Sequence, residues 1–181
     1  MTARERLHKC IAGEDLDRPL VSAWRHFYNM ETTSSGLAEA MVSFQKRFEW
    51  DFMKINPRAS YHMEDWGNEL EWSTDEFRKH TKVRFAVEEI DDWEKITVLK
   101  PTSPVLAETL EAIRLIRMGV GPDLPLLMTV FTPLSIAGDL VRSDQILLDH
   151  LTRDKPRVVA ALERITETFE SYVPELRKAG A

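Results

Sequence analysis

Hydrophobic positions recur along the chain with two different periods, and the changes of period mark the elements. "TARERLHKCIAG" puts Leu7, Cys10 and Ile11 on one helical face, opens with Thr2 three residues before Glu5, and stops at Gly13. That is the pattern of a short capped helix. "SSGLAEAMVSFQKRF" repeats Leu37, Met41, Phe44 and Phe48 at helical spacing behind Ser34 or Ser35 as N-cap. A third helix follows Ser103 and Pro104 and carries Leu106, Leu110, Ile113 and Ile116. "SDQILLDHL" predicts a shorter helix. A long one runs from about Pro156 to Lys178, with Val159, Leu162, Ile165 and Phe169 in one stripe and Gly180 as C-cap.

Short apolar runs lie between the helices. Leu20–Trp24, bounded by Pro19, reads as a buried strand, and "DFMKI" (51–55) as a second. The third, 126–131 within "DLPLLMTVF", is continuous enough to be buried on both faces. "ELEW" and "KVRFAVEE", between about residues 69 and 89, alternate around a charged turn and predict a β-hairpin. Strand and helix thus alternate three times, which predicts an α/β fold of βαβ units in a single domain over 1–181. Three parallel strands cannot close a barrel and leave a sheet edge unpaired. The pattern therefore reads as the first half of a larger fold.

Composition narrows the partners. A net charge of -6 and a pI near 5.4 argue against a nucleic-acid or anionic-membrane surface, because both need a basic face. No apolar run approaches the roughly 20 residues that cross a bilayer. "MTARERLHKC" lacks the apolar centre of a signal peptide, so a cytoplasmic protein is expected. The single cysteine, Cys10, excludes an internal disulfide and a multi-cysteine zinc site.

The order of several segments resembles the N-terminal half of the uroporphyrinogen decarboxylase superfamily. "RERLHKCIAGEDLDRPLV" is similar to the family's opening helix and its arginine-proline entry to the first strand. "DDWEKITVLKPTSPVLAETLEAIRLIR" resembles its linker and the helix before the third strand. "PLLMTVFTPLSIAGDLV" is similar to its strand-three motif, and "LDHLTRDKPRVVAALERITETFESYVPELRKAGA" to the helices before the fourth. The resemblance implies a TIM-type (β/α) barrel, of which about the first three βα units with a hairpin insertion are present. It implies either decarboxylase or lyase chemistry on a carboxylate-bearing substrate, without a required cofactor, or corrinoid-linked methyl transfer, for which corrinoid and zinc are possible. A third reading is a non-catalytic half-barrel that only associates, as a homo-oligomer or with a missing C-terminal half.

The family's motifs map unevenly. The first substrate-holding arginine after strand one corresponds to Arg25, the second to Asn29, the catalytic aspartate after strand two to Arg58, and the tyrosine after strand three falls near Asp139. In a TIM barrel the active site is built from loops after the strands. "KINPRASYHMEDWG" (54–67) is such a loop. Arg25 and Arg58 are candidates for an anion clamp, since a guanidinium fork matches a carboxylate. His62 is the candidate proton carrier, with Glu64 or Asp65 to orient it. His26, Tyr61, Trp66 and Ser135, with Thr132, are expected to line the same mouth. Each has a second reading: Arg58 pairs with Glu64 or Asp65, His62 is simply packed, and Tyr61 and Trp66 cap the rim. Asp51 and Lys54 read as an ion pair. His8, His80 and His150 read as surface residues without chemistry. "HMED" offers too few donors for a metal, so no metal ligand is assigned.

Overall fold

A computed structural model describes residues 1–181. Six helices dominate it. Helix α1 (Ala3–Ala12) is closed by the predicted capping box, in which Thr2 Oγ1 accepts from Glu5 N–H and Glu5 accepts from Thr2 N–H. Helix α2 (Ser34–Phe48) is capped by Thr33, one residue earlier than predicted, because Thr33 Oγ1 accepts from Gly36 N–H. It packs along α3 (Pro104–Val120), and a Cβ on Gly119 would stand 2.6 Å from a Val42 methyl. That glycine is what lets the two helices approach.

Helices α4 (Pro133–Leu140) and α5 (Asp144–Arg153) pack on the long α6 (Lys155–Ala179), which also packs on α3. Helix α6 buries Val158, Ala161, Ile165, Phe169, Tyr172 and Leu176, a stripe at helical spacing. The predicted stripe shared only Ile165 and Phe169. Val159 and Leu162 sit at its half-buried margin, because small Ala161 and polar-ended Tyr172 fill the centre of the contact.

Two strands, β1 (Met53–Ile55) and β4 (Leu126–Met128), pair in parallel with Met53 opposite Leu126 and Ile55 opposite Met128. A separate antiparallel pair, β2 (Glu69–Glu71) and β3 (Thr81–Arg84), forms the predicted hairpin with an irregularity between Glu69 and Leu70. The protein is thus α/β, with helices packed on one face of the parallel pair.

The predicted strand at 20–24 does not form. Val21 N–H donates to the Asp51 carboxylate, Asp51 N–H to Val21 C=O, and Ser22 Oγ to Phe52 C=O. Two of these three bonds use side chains, so the segment lies beside the start of β1 without a ladder. Trp24 is 53% exposed rather than buried. The apolar run at 126–131 is not buried on both faces either. Leu126 is buried, while Leu127 and Val130 are exposed. Met53, Ile55 and Leu126 face the helices, and Lys54 and Leu127, which are register partners, face outward together. Lys54 Nζ lies 4.2 Å over the Trp24 ring instead of pairing with Asp51. Asp51 is held by Arg6 and Arg18, each at 2.5 Å. Burial pushes its carboxyl up, but Arg18, Val21 N–H and Arg6 outweigh that and hold it below the usual range. No helix is long and apolar enough to cross a membrane.

Candidate active site

The loop 54–67 leaves β1 and is stitched to everything around it. Tyr61, 1% exposed, donates its hydroxyl to Thr129 C=O at 2.7 Å just past β4. Burial pushes that phenol well above its ordinary pKa, which suits a permanent donor. Asp65 accepts from Val105 and Leu106 N–H and so caps the first turn of α3 from outside the helix. Trp66 donates to Thr97 C=O and packs against Phe169. Tyr61, Asp65 and Trp66 are therefore fasteners, and neither Tyr61 nor Trp66 lines a substrate space.

A cleft of ≈ 180 Å³ opens at the C-terminal ends of β1 and β4. Asn56, Arg58 and His62 border it from the first loop, Thr129 and Phe131 from the segment after β4, and His26 and Tyr28 from the chain before α2. Lys79 and Lys82 enter from the hairpin and Asp139 from α4. His62, 3% exposed, sits 4.3 Å from the Phe131 ring, and its Nε2 is 2.9 Å from Asp139 Oδ2. Lys82 Nζ is 2.5 Å from the other Asp139 oxygen. Burial raises the Asp139 pKa, but His62 and Lys82 outweigh it, so the carboxyl lies well below its ordinary range and is ionised at neutral pH. A carboxylate only accepts, so it fixes the hydrogen of His62 on Nε2. Nδ1 of His62 and Oγ1 of Thr129 are buried without a partner.

Neither arginine of the predicted clamp is free for a ligand. Arg58 is buried, with NH2 2.8 Å from Glu108, NH1 donating to Thr32 C=O, and Nε 3.1 Å from Glu64 without hydrogen-bond alignment. The pairing with Glu64 is the second reading of Arg58, and Glu108, fifty positions away, completes it. Glu64 also accepts from Ser60 Oγ at 2.5 Å, yet burial still lifts its pKa against Ser60 and Arg58. Arg25 lies outside the cleft lining. It donates to Glu76 at 3.4 Å and stands 4.7 Å over the Phe77 ring, tying the hairpin tip to the chain before α2.

His26 is at the cleft, with Nδ1 3.1 Å from Glu31, a fully buried carboxylate that also accepts from Ala59 N–H. Ser135 is elsewhere, exposed in the first turn of α4, where its N–H donates to the N-cap Thr132. His80 and His150 are not surface residues. His80 is buried against Trp72 and Tyr28, and its Nδ1 accepts from Ser73 N–H; His150 Nδ1 accepts from Trp93 Nε1–H. Lys79, Lys82, Asp139 and Thr129 were not in the predicted site. Only Asp139 carried a signal in the sequence, as the departure at the family's tyrosine. No three His, Cys, Asp or Glu side chains converge to hold a metal.

A family model for uroporphyrinogen decarboxylase (URO-D) matches residues 2–181. The chain belongs to that family. Comparison with curated proteins gave no match. Among solved structures, a methyltransferase from Methanosarcina mazei superposes with a TM-score of 0.79 at 21% identity, covering 100% of this chain and 57% of that one. The likeness is one of fold, and this chain spans little more than half of that structure's length. The carboxylate of the cleft is Asp139 from α4, and Arg58 beside it is buried and paired.

Proposed function

We propose that this chain supplies the N-terminal wall of an active site that acts on a small carboxylate-bearing substrate, with lyase-type chemistry that ends in loss of CO2. One arrangement carries the reading: His62, Asp139 and Lys82 in line at the ends of β1 and β4, within a cleft that also presents Lys79. In a decarboxylation the C–C bond to the carboxylate breaks, its electron pair stays on carbon, and a proton must arrive there. His62 suits the relay. Asp139 holds Nε2–H, which leaves Nδ1 to take up a proton and pass it on. Lys79, which makes no ion pair, replaces the arginine clamp as the source of positive charge for the substrate carboxylate, while Lys82 holds Asp139.

Methyl transfer is the alternative, motivated by the name of the structural neighbour. The residues of this chain do not fit a resident zinc, since no suitable donor cluster exists and Cys10 is exposed on α1. No step through a metal or corrinoid follows from these residues.

Calorimetry with tricarballylate at low and high salt tests the reading. Binding should weaken as salt rises, because exposed charge pairs are screened. Lys79→Met should weaken it at least severalfold while the circular-dichroism spectrum stays unchanged. Absence of tricarballylate binding, together with a hydroxocobalamin absorbance shift on titration, would move the assignment to methyl transfer. Binding equal in wild type and variant would remove Lys79 from the site.

A further inference from the structure

Three cleft-lining residues carry a buried polar atom without a hydrogen-bond partner. Arg58 Nε still faces Glu64 at 3.1 Å, whereas His62 Nδ1 and Thr129 Oγ1 face no charged partner and restrict the ligand more than the lysines do. Asp139 lies between His62 and Lys82, so the hydrogen shared with His62 belongs to Nε2. In the neutral ring Nδ1 is then an acceptor only. No group of the chain donates to it. A buried acceptor left unmade is expensive, so a ligand that brings an O–H or N–H to it gains a bond that the chain does not make.

Thr129 adds a second condition, because its hydroxyl has neither donor nor acceptor in the chain. A ligand hydroxyl satisfies both residues, donating to His62 Nδ1 and accepting from Thr129 Oγ1. An ammonium donates but cannot accept, and it would face the positive charges of Lys79 and Lys82. Lys79 is exposed at the cleft wall and forms no ion pair, so its ammonium is available to an anion. The volume of ≈ 180 Å³ matches about six waters at ~30 Å³ each, the scale of a small organic acid.

We propose that the cleft selects a small 2-hydroxycarboxylate, with the carboxylate against Lys79 and the neighbouring hydroxyl bridging His62 Nδ1 and Thr129 Oγ1. The proposal rests on the reading of this cleft as a carboxylate site, and it names which carboxylates. It also gives Thr129, which the family resemblance did not point to, the part of a specificity-determining residue.

The test uses the 181-residue chain and four probes in calorimetry: L-malate, D-malate, succinate and L-aspartate. Succinate lacks the hydroxyl, and aspartate replaces it with an ammonium. One malate enantiomer should bind about tenfold more tightly than succinate, the effect of one net hydrogen bond, and aspartate no better than succinate. Thr129→Val should reduce the malate preference to about threefold or less with succinate unchanged. Lys79→Met should weaken all of them. Equal binding of malate and succinate, a preference that survives Thr129→Val, or aspartate as the tightest probe overturns the hydroxyl inference and leaves the carboxylate reading in place. If none of the four binds, both fall.

Discussion

Arg58, expected from the resemblance to face a substrate, is in the structure a matter of stability. Its guanidinium is buried between Glu64 and Glu108, with Glu64 itself only 10% exposed. Removing one partner of a buried pair strands the other's charge, at a cost of about 3–5 kcal/mol. Arg58→Met should therefore lower the unfolding free energy in urea by about that much, and Arg58→Met with Glu64→Gln should recover part of it. A variant as stable as wild type would show that the pair is not buried in solution. The pairing with Glu64, six positions away, was legible in the sequence. Glu108 was not, because nothing in a helical stripe says which exposed-face glutamate will lean onto a distant loop. His80 was misread for a similar reason. A charged turn suggests the surface, yet Trp72 and Tyr28 close over the ring. Burial holds its pKa below the ordinary value, helped by Arg58 and His26 and opposed by Glu31. The unfolded chain takes up this proton first, near pH 6.5, so stability contributed by neutral His80 is present above about pH 6.5 and is lost as pH falls from there towards the folded value. Urea midpoints measured from pH 8 to pH 5 should drop below about 6.5, and His80→Gln should lack that component of the drop.

Helix periodicity gave five of the six helices, α4 being the one it did not mark, and alternation gave the hairpin, because each is decided by neighbours within a few residues. The strand at 20–24 was decided elsewhere. Asp51 occupies Val21 N–H, and Asp51 is itself drawn in by Arg6 and Arg18, contacts that no local window contains. The hairpin has the same kind of hidden attachment. Arg25 was assigned to the substrate, but its partners are Glu76 and Phe77 at the hairpin tip. Because β2 and β3 pair only with each other, contacts outside the ladder hold the hairpin over the cleft: this one, the Lys82–Asp139 pair, and buried His80 against Tyr28 and Glu31. Arg25→Ala removes a half-exposed pair, which is worth no more than about 1 kcal/mol globally. It should nevertheless speed amide exchange across 71–84 while exchange in α3 and α6 stays the same. Unchanged exchange in the hairpin would mean that the latch is idle. The loop 54–67 is dense with polar and aromatic side chains, yet Tyr61, Asp65, Trp66 and Arg58 fasten it to its surroundings, and His62 is the one that meets Asp139 at the cleft.

A parallel pair of strands with helices behind it is covered on one face only. The uncovered face carries Leu127, Lys54 and the Trp24 ring, and Leu127 is 46% exposed in a strand run that composition alone would bury. The β4 strand has one neighbour, β1, so the backbone along its other side has no ladder partner. Exposed parallel edges with apolar side chains recruit other chains. Neither feature belongs to the polar rim on which the cleft depends, so association and ligand binding should be separable. Sedimentation of the chain over a range of concentrations should show a self-associating species, with a buried surface of at least about 800 Å² per partner if the contact is specific. Leu127→Lys places a second ammonium in register with Lys54, and like charges facing each other across a sheet repel. That variant should sediment as a monomer and still bind the carboxylate probes. If the wild-type chain remains monomeric at high concentration, the open face is tolerated by the molecule as it stands. If Leu127→Lys associates as before, the contact lies elsewhere on the surface, with exposed Leu134 and Leu148 beside α4 and α5 the next residues to replace.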